Sequence, residues 1–337
     1  MSIAPDNQPA ANDGRWSDLA SRVLAGEKLD VAEGLRVLRC GDEQLLDLLG
    51  AAYRVRFAKF GKQVRLNFLM NAKSGRCGEN CGYCSQSSIS TAEIQKYDLL
   101  REEEILEGAR LAAERQAGTY CTVISGRRPS SRELEIIEGI IPRIKAQYDL
   151  KVCLSPGLLS LEEARRLKAC GVDRINHNLN TSRRFYPTIC TSHSYQDRLD
   201  TLDAVRRSGM EICSGGIAGM GEADEDLVEL AMSLGRLAVE AVPLNFLQPI
   251  SGTPLEQGGN LTPTRCLKIL CLFRFANPGG ELRIAAGREM HLGPLQPLGL
   301  YPANSIFVGD YLTTKGQPPA EDYRMIEALG FEIAAEG

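Results

Sequence analysis

From Ser17 onward, apolar residues recur at helical spacing: Leu19, Val23 and Leu24, then Val31, Leu35 and Leu38. Asp42, a residue type suited to capping, precedes a third set at Leu45, Leu46, Leu48 and Leu49. The pattern predicts a helical extension over residues 15–63. Ahead of it, residues 1–14 are polar and Pro-containing without periodicity, which predicts a disordered arm. Downstream the rhythm changes. Short apolar runs ending in Gly, Ser, Asn or Pro alternate with helix-period segments such as 101–116, 161–170 and 197–208. The runs are 64–71, 120–126, 151–157, 174–180, 211–217, 242–249, 282–287 and 305–308, eight in all. Strand alternating with helix predicts parallel βα units. Eight in succession predict an α/β fold, a (β/α)8 TIM-type barrel over residues 64–337 with a C-terminal helical segment. An open doubly wound sheet is the alternative. In a barrel, motifs at the C-terminal strand ends gain weight, because active sites lie there.

Composition narrows the function. The 337 residues carry 39 Lys+Arg against 43 Asp+Glu, a net charge of −4, with no dense basic run interleaved with aromatics, so nucleic acid is not expected as a partner. No window approaches the roughly 18 apolar residues of a membrane helix. Eleven cysteines are an odd number, and residues 1–14 show no basic stretch followed by an apolar one. We therefore expect a soluble, cytoplasmic protein in a reducing compartment, whose cysteines need an explanation other than disulfides.

Cys77, Cys81 and Cys84 form C-x3-C-x2-C in a glycine-containing loop after the first predicted strand. Such spacing lets three thiolates converge on one metal centre. Structural zinc prefers four ligands, and no histidine lies within the loop; a four-iron cluster on three thiolates leaves one iron free for chemistry. Zinc, and three unrelated cysteines, remain the competing readings. Three further cysteines, Cys121, Cys153 and Cys213, occupy similar places in predicted strands, and Arg283 alternates with Ala285 in another. Inward-facing, the three sulfurs could meet inside the barrel. Buried strand cysteines are often merely small hydrophobes, but that does not explain an inward arginine, which is costly unless paired. Asn176, Asn178 and Asn180 alternate along one run, so their amides can share a face, and Asn245 sits in the sixth strand. Amides suit a neutral group that both donates and accepts; the alternative for each is a backbone-bonding turn residue. Gly215-Gly-Ile-Ala-Gly219-Met-Gly-Glu222 misses both the dinucleotide spacing and the P-loop lysine. His177, His193 and the cysteines at 40, 170, 190, 266 and 271 receive no chemistry.

With its aromatic Tyr83 before the last cysteine, the triplet resembles that of the radical S-adenosylmethionine superfamily. The resemblance implies a [4Fe-4S] cluster on Cys77, Cys81 and Cys84, whose open iron chelates S-adenosylmethionine for reduction to a 5′-deoxyadenosyl radical. Stretches Cys-Gly-Glu-Asn-Cys-Gly-Tyr-Cys-Ser-Gln (77–86), Asn-His-Asn-Leu-Asn-Thr-Ser (176–182), Tyr-Gln-Asp-Arg-Leu-Asp-Thr-Leu (195–202), Cys-Ser-Gly-Gly-Ile-Ala-Gly-Met-Gly-Glu (213–222), Ala-Gly-Arg-Glu (286–289) and Ala-Asn-Ser-Ile-Phe (303–307) are similar to the branch that inserts sulfur into dethiobiotin. That branch implies a [2Fe-2S] cluster on Cys121, Cys153, Cys213 and Arg283, serving as the sulfur source. It further implies Asn178 and Asn245 at the dethiobiotin ureido group, and Asn180, Gly215, Gly219 and Glu222 beside S-adenosylmethionine. Asn180 departs from the aspartate of other members. A flavodoxin- or ferredoxin-type reductant and a homodimer are implied as well. The rivals are a related radical maturase or mutase, and a metal-binding regulatory protein.

Overall fold

The computed structural model describes residues 14–334, so the arm expected over 1–14 lies outside the described residues except for Gly14. Three helices come first, α1 (Arg15–Leu24), α2 (Val31–Arg39) and α3 (Leu45–Phe60). Asp30 starts α2 through a capping box with Glu33, each side chain satisfying the other's backbone N–H. Asp42 does not cap α3. It lies in a 3-10 turn, and its carboxylate is 2.7 Å from Lys268 Nζ, because an ion pair to the barrel outcompetes a local cap there.

The barrel staves are β1 (Gln63–Lys73), β2 (Thr119–Ile124), β3 (Lys151–Ser155), β4 (Arg174–Asn176), β5 (Glu211–Cys213) continued after a break by β6 (Gly216–Ala218), β7 (Ala241–Phe246), β8 (Glu281–Ile284) and β9 (Ser305–Phe307). All pair in parallel, and β9 returns to β1 through Arg65 opposite Ser305, which closes the barrel and excludes the open sheet. Between staves run α4 (Glu102–Glu114), α5 (Ser131–Gln147), α6 (Leu161–Ala169), the short α7 (Tyr186–Ile189), α8 (Tyr195–Arg207), α9 (Asp224–Leu237) and α10 (Pro263–Ala276). Ser130, Ser160 and Ser194 each end a βα loop and cap the next helix, bonded to an acid three residues on. Of the N-terminal helices, α3 packs on α1 and α10, and α2 on α9 and α10.

Two expected strands are shorter than their apolar runs. The run 174–180 leaves the sheet after Asn176, and Asn180 adopts the left-handed conformation at φ 68°. The run 211–217 is split because Gly215 passes so close to β7 that a Cβ there would lie 1.8 Å from the Pro243 carbonyl oxygen. A two-residue strand missed in the sequence, β10 (Glu332–Ile333), pairs with Gln63 and Val64 at the start of β1.

Candidate active site

Three loop cysteines follow β1. Cys77 and Cys84 are half-buried and Cys81 is buried, and all three border a cleft of about 310 Å³ at the C-terminal strand ends. Burial raises the Cys77 thiol and pushes Cys84 up to about 11. Cys81 is also raised, first by its hydrogen bond to Cys190 and then by burial. Such thiols ionise readily only when a cation takes the place of the proton, which suits them to a metal centre. Tyr83 lines the same cleft, its hydroxyl held at 2.7 Å by the Asn180 amide.

The fold brings histidine to the loop although the loop contains none. Cys190 Sγ lies 3.7 Å from Cys81 Sγ and 3.3 Å from His193 Nδ1. Both imidazole nitrogens are already engaged, Nδ1 by Glu79 and Nε2 by Arg198 at 2.8 Å. No ring lone pair is left to complete a zinc site, which favours the cluster over the zinc reading. Arg198, buried, also donates to Tyr186 and, at 2.8 Å, to the Asn178 carbonyl. Arg198, His193, Glu79 and Cys190 were missed as site residues. Arg198 had a signal in the stretch Tyr-Gln-Asp-Arg (195–198), whereas Cys190 had none, because its proximity to Cys81 is created by a 109-residue chain excursion.

Deeper in the barrel, Cys121, Cys153 and Cys213 face inward together, as their alternation anticipated, packed with Ala241, Ala285 and Phe307. Cys121 and Cys153 are register partners on β2 and β3. They border a chamber of about 170 Å³. Arg283 is fully buried. Its Nη2 is 2.6 Å from Glu281 and its Nε 3.2 Å from Ser305 Oγ, while Nη1 faces Cys213 Sγ at 4.0 Å. One edge of the guanidinium is thus spent on the protein and the other turns to the sulfurs. Cys213 is shifted down, first by the hydrogen bond from Cys153 and then by the charges of Arg283 and Arg174, against the effect of burial. Two thiols on the open volume, with Cys213 packed against them and the guanidinium edge behind it, fit a small anionic iron–sulfur centre.

Asn178 and Asn245 line both the cleft and the chamber. The Asn178 Oδ1 accepts from Gly215 N at 2.9 Å, and the Asn245 amide bridges the Gly216 carbonyl and Ala286 N, each at 3.2 Å. Asn176 lines both spaces with them. It donates to Cys213 Sγ at 3.2 Å. The amides of Asn176, Asn178 and Asn180 all border the cleft, although the strand ends at Asn176 and the chain beyond it carries the other two. Gly215, Gly219 and Glu222 are absent from the cleft lining, where Ile217 stands between them. Gly215 is required instead by its approach to Pro243, and Glu222 accepts from Gly219 N and Met220 N at 2.7 Å, tying down the loop. Cys266 and Cys271, both buried within α10, pack as small hydrophobes.

The family model described as "Radical SAM superfamily" matches residues 72–234, and "Biotin and Thiamin Synthesis associated domain" matches 243–332. The chain is 52% identical to the biotin synthase of Bacillus subtilis over 95% of each chain. It is also 52% identical to that of Rhodopirellula baltica over 95% of this chain and 89% of that one, and 54% identical to that of Anoxybacillus flavithermus over 94% and 97%. In structure it is similar to methylornithine synthase, with TM-score 0.82, 20% identity and coverage of 94% and 97%. It is likewise similar to the hydrogenase maturase HydG of Carboxydothermus hydrogenoformans, with TM-score 0.78, 19% identity and coverage of 94% and 78%, likenesses that speak to the fold alone. With relatives at this identity over almost the whole chain, the protein belongs to the biotin synthase family of the radical S-adenosylmethionine superfamily.

Proposed function

We propose that this chain converts dethiobiotin to biotin with its two cysteine sets in separate roles: Cys77, Cys81 and Cys84 holding the [4Fe-4S] cluster, and Cys121, Cys153, Cys213 and Arg283 the [2Fe-2S] cluster. When bound, these cofactors supply, respectively, a 5′-deoxyadenosyl radical from S-adenosylmethionine and the sulfur that is inserted. The observation that carries the reading is that Asn178 and Asn245 line both the cleft under the first set and the chamber beside the second. A substrate held by these amides lies between the radical source and the sulfur source.

The ureido ring of dethiobiotin offers two N–H donors and one carbonyl, which amide side chains can match. Arg198 positions Asn178 by holding its carbonyl, and Gly215 N fixes its Oδ1, leaving the amide nitrogen for the ring. Asn180, braced on Tyr83, serves S-adenosylmethionine; an amide can bond ribose hydroxyls as aspartate would, without the charge. Gly215, Gly219 and Glu222 act on S-adenosylmethionine indirectly, by shaping the loop that presents Ile217. Inside the barrel, walls such as Phe307 and Ala285 keep water from a carbon radical. Two C–H bonds are replaced by C–S bonds, so two hydrogen abstractions consume two S-adenosylmethionine molecules.

Residues 15–63 act as an extension bracing α9 and α10, and residues 64–337 as the catalytic domain. A flavodoxin- or ferredoxin-type protein supplies electrons, the enzyme works as a homodimer, and it resides in the cytoplasm. Among the described residues no helix is long and apolar enough to cross a membrane. Anaerobic reconstitution with iron and sulfide tests the assignment. The wild type should gain six irons' worth of absorbance and paramagnetic signatures, Cys77→Ala only the [2Fe-2S] spectrum, and Cys153→Ala only the [4Fe-4S] spectrum. The same spectrum lost in both variants would overturn the division.

A further inference from the structure

If a sulfide of the inner cluster leaves with every product, the cluster must be refilled for the next turnover. This argument therefore rests on the assignment of Cys121, Cys153, Cys213 and Arg283. The substrate side is an indirect entry, since the radical cluster, S-adenosylmethionine and dethiobiotin all gather there. The opposite, N-terminal end of the barrel carries a separate cleft of about 380 Å³, bordered by Lys59, Arg65, Lys151, Arg174, Glu281 and Asn304.

Four of these six side chains are cationic, and they are met by two acids, Glu281 beside Arg65 and Arg174 and Glu211 at 3.0 Å from Lys151 and 2.7 Å from Arg174, which leaves an excess of positive charge with Lys59 outermost. Lys59 at the end of α3 is exposed, whereas Arg174 is only 2% exposed. Asn304 is buried, and its orientation is fixed: Oδ1 accepts from Arg274 at 2.7 Å and from Leu282 N at 3.0 Å. Its Nδ2 has no partner among the described residues. A buried donor left unpaired beside a cationic cleft marks a place for an acceptor, and an anion satisfies both. The cleft reaches close to the inner site. Arg174 Nη1 is 3.1 Å from Glu281, whose other oxygen bonds Arg283 at 2.6 Å, and Arg283 lies 4.0 Å from Cys213 Sγ. Arg174, Glu281 and Arg283 form one ion-paired layer running from this cleft to the inner site.

We infer that the cleft at the N-terminal end of the barrel is an anion site that concentrates hydrosulfide and admits it, past the Arg174–Glu281–Arg283 layer, to the sulfur-donor cluster. The test uses the full chain carrying both clusters, taken through one turnover and then given ferric iron, which is also the electron acceptor, and limiting sodium hydrosulfide without oxygen. In K59E/K151E the first-turnover yield of biotin should equal that of the wild type. Recovery of the [2Fe-2S] absorbance should slow about tenfold, with the deficit shrinking as salt screens the charges. K28E/K168E places the same charge change on exposed sites away from the cleft and should refill at the wild-type rate. K59Q/K151Q should give a smaller slowing of the same kind, which keeps the test open should the double reversal fold poorly. Refilling of K59E/K151E at the wild-type rate, or equal slowing in K28E/K168E, overturns the inference. Biotin formed normally by Cys153→Ala would instead overturn the cluster assignment beneath it.

Discussion

Arg283 is a residue whose position makes sense only through its neighbours. A fully buried guanidinium is tolerated because Glu281 neutralises it, and Glu281, itself buried, also holds Arg174 and accepts from Ser305 Oγ at 2.8 Å. Breaking such a network leaves uncompensated buried charge, so Glu281→Gln should cost about 3–5 kcal/mol in urea unfolding. The flanking guanidinium groups hold the Glu281 carboxyl well below its ordinary range despite burial. A carboxyl depressed in the folded state contributes stability above its unfolded value of about 4.3, and that contribution is lost as pH falls through the folded value. Acidification from pH 7 to about 4 should therefore begin to destabilise the wild type, while Glu281→Gln lacks this component; equal pH slopes in both would contradict the pairing. Asn178→Ala should raise the KM for dethiobiotin about tenfold or more, as expected when a buried polar group loses its partner. An unchanged KM would remove Asn178 from the ureido contact. At this scale the sequence exposed residues whose types are unusual for their setting, such as an arginine in a strand. Cys190, His193 and Glu79 stayed hidden because each is ordinary locally and becomes notable only beside Cys81.

Elements were legible where periodicity and length agreed. The eight staves and the helices between them follow from the alternation of apolar runs, because strands buried on both faces read as continuous hydrophobic stretches. Their ends were not, since an apolar run does not reveal where the chain turns to present a side chain: 174–180 looked like one strand, yet Asn178 and Asn180 gain their positions by leaving the sheet after Asn176. Likewise the Gly-Gly of 215–216 is a demand of packing. At Gly215 an added Cβ meets the Pro243 carbonyl, and at Gly216 it falls 2.7 Å from the Asn180 carbonyl, both backbone atoms unable to yield cheaply. Gly215→Ala should thus separate β6 from β7, lowering the melting temperature and weakening dethiobiotin and S-adenosylmethionine binding together. Normal affinity for both would show that the close approach is dispensable. Helix starts offer a control: Ser160→Ala removes a cap bonded to Glu163 N and should cost about 1 kcal/mol without touching either cluster.

For the molecule as a whole, closure of the barrel gives one tube with two differently equipped depths. The loop cysteines ride on a long connection at the open end, where they border a cleft, while the strand cysteines lie within the wall, shielded by Phe307 and Ala285. Dethiobiotin held by Asn178 and Asn245 would be reached from one end by a radical and from the other by sulfur, which is why a single barrel can separate hydrogen abstraction from sulfur delivery. The most direct test of that division is the product ratio of Cys153→Ala, reconstituted anaerobically and supplied with reductant, S-adenosylmethionine and dethiobiotin. The two-depth account predicts 5′-deoxyadenosine without biotin from this variant, and neither product from Cys77→Ala. Biotin from Cys153→Ala at the wild-type yield would contradict it.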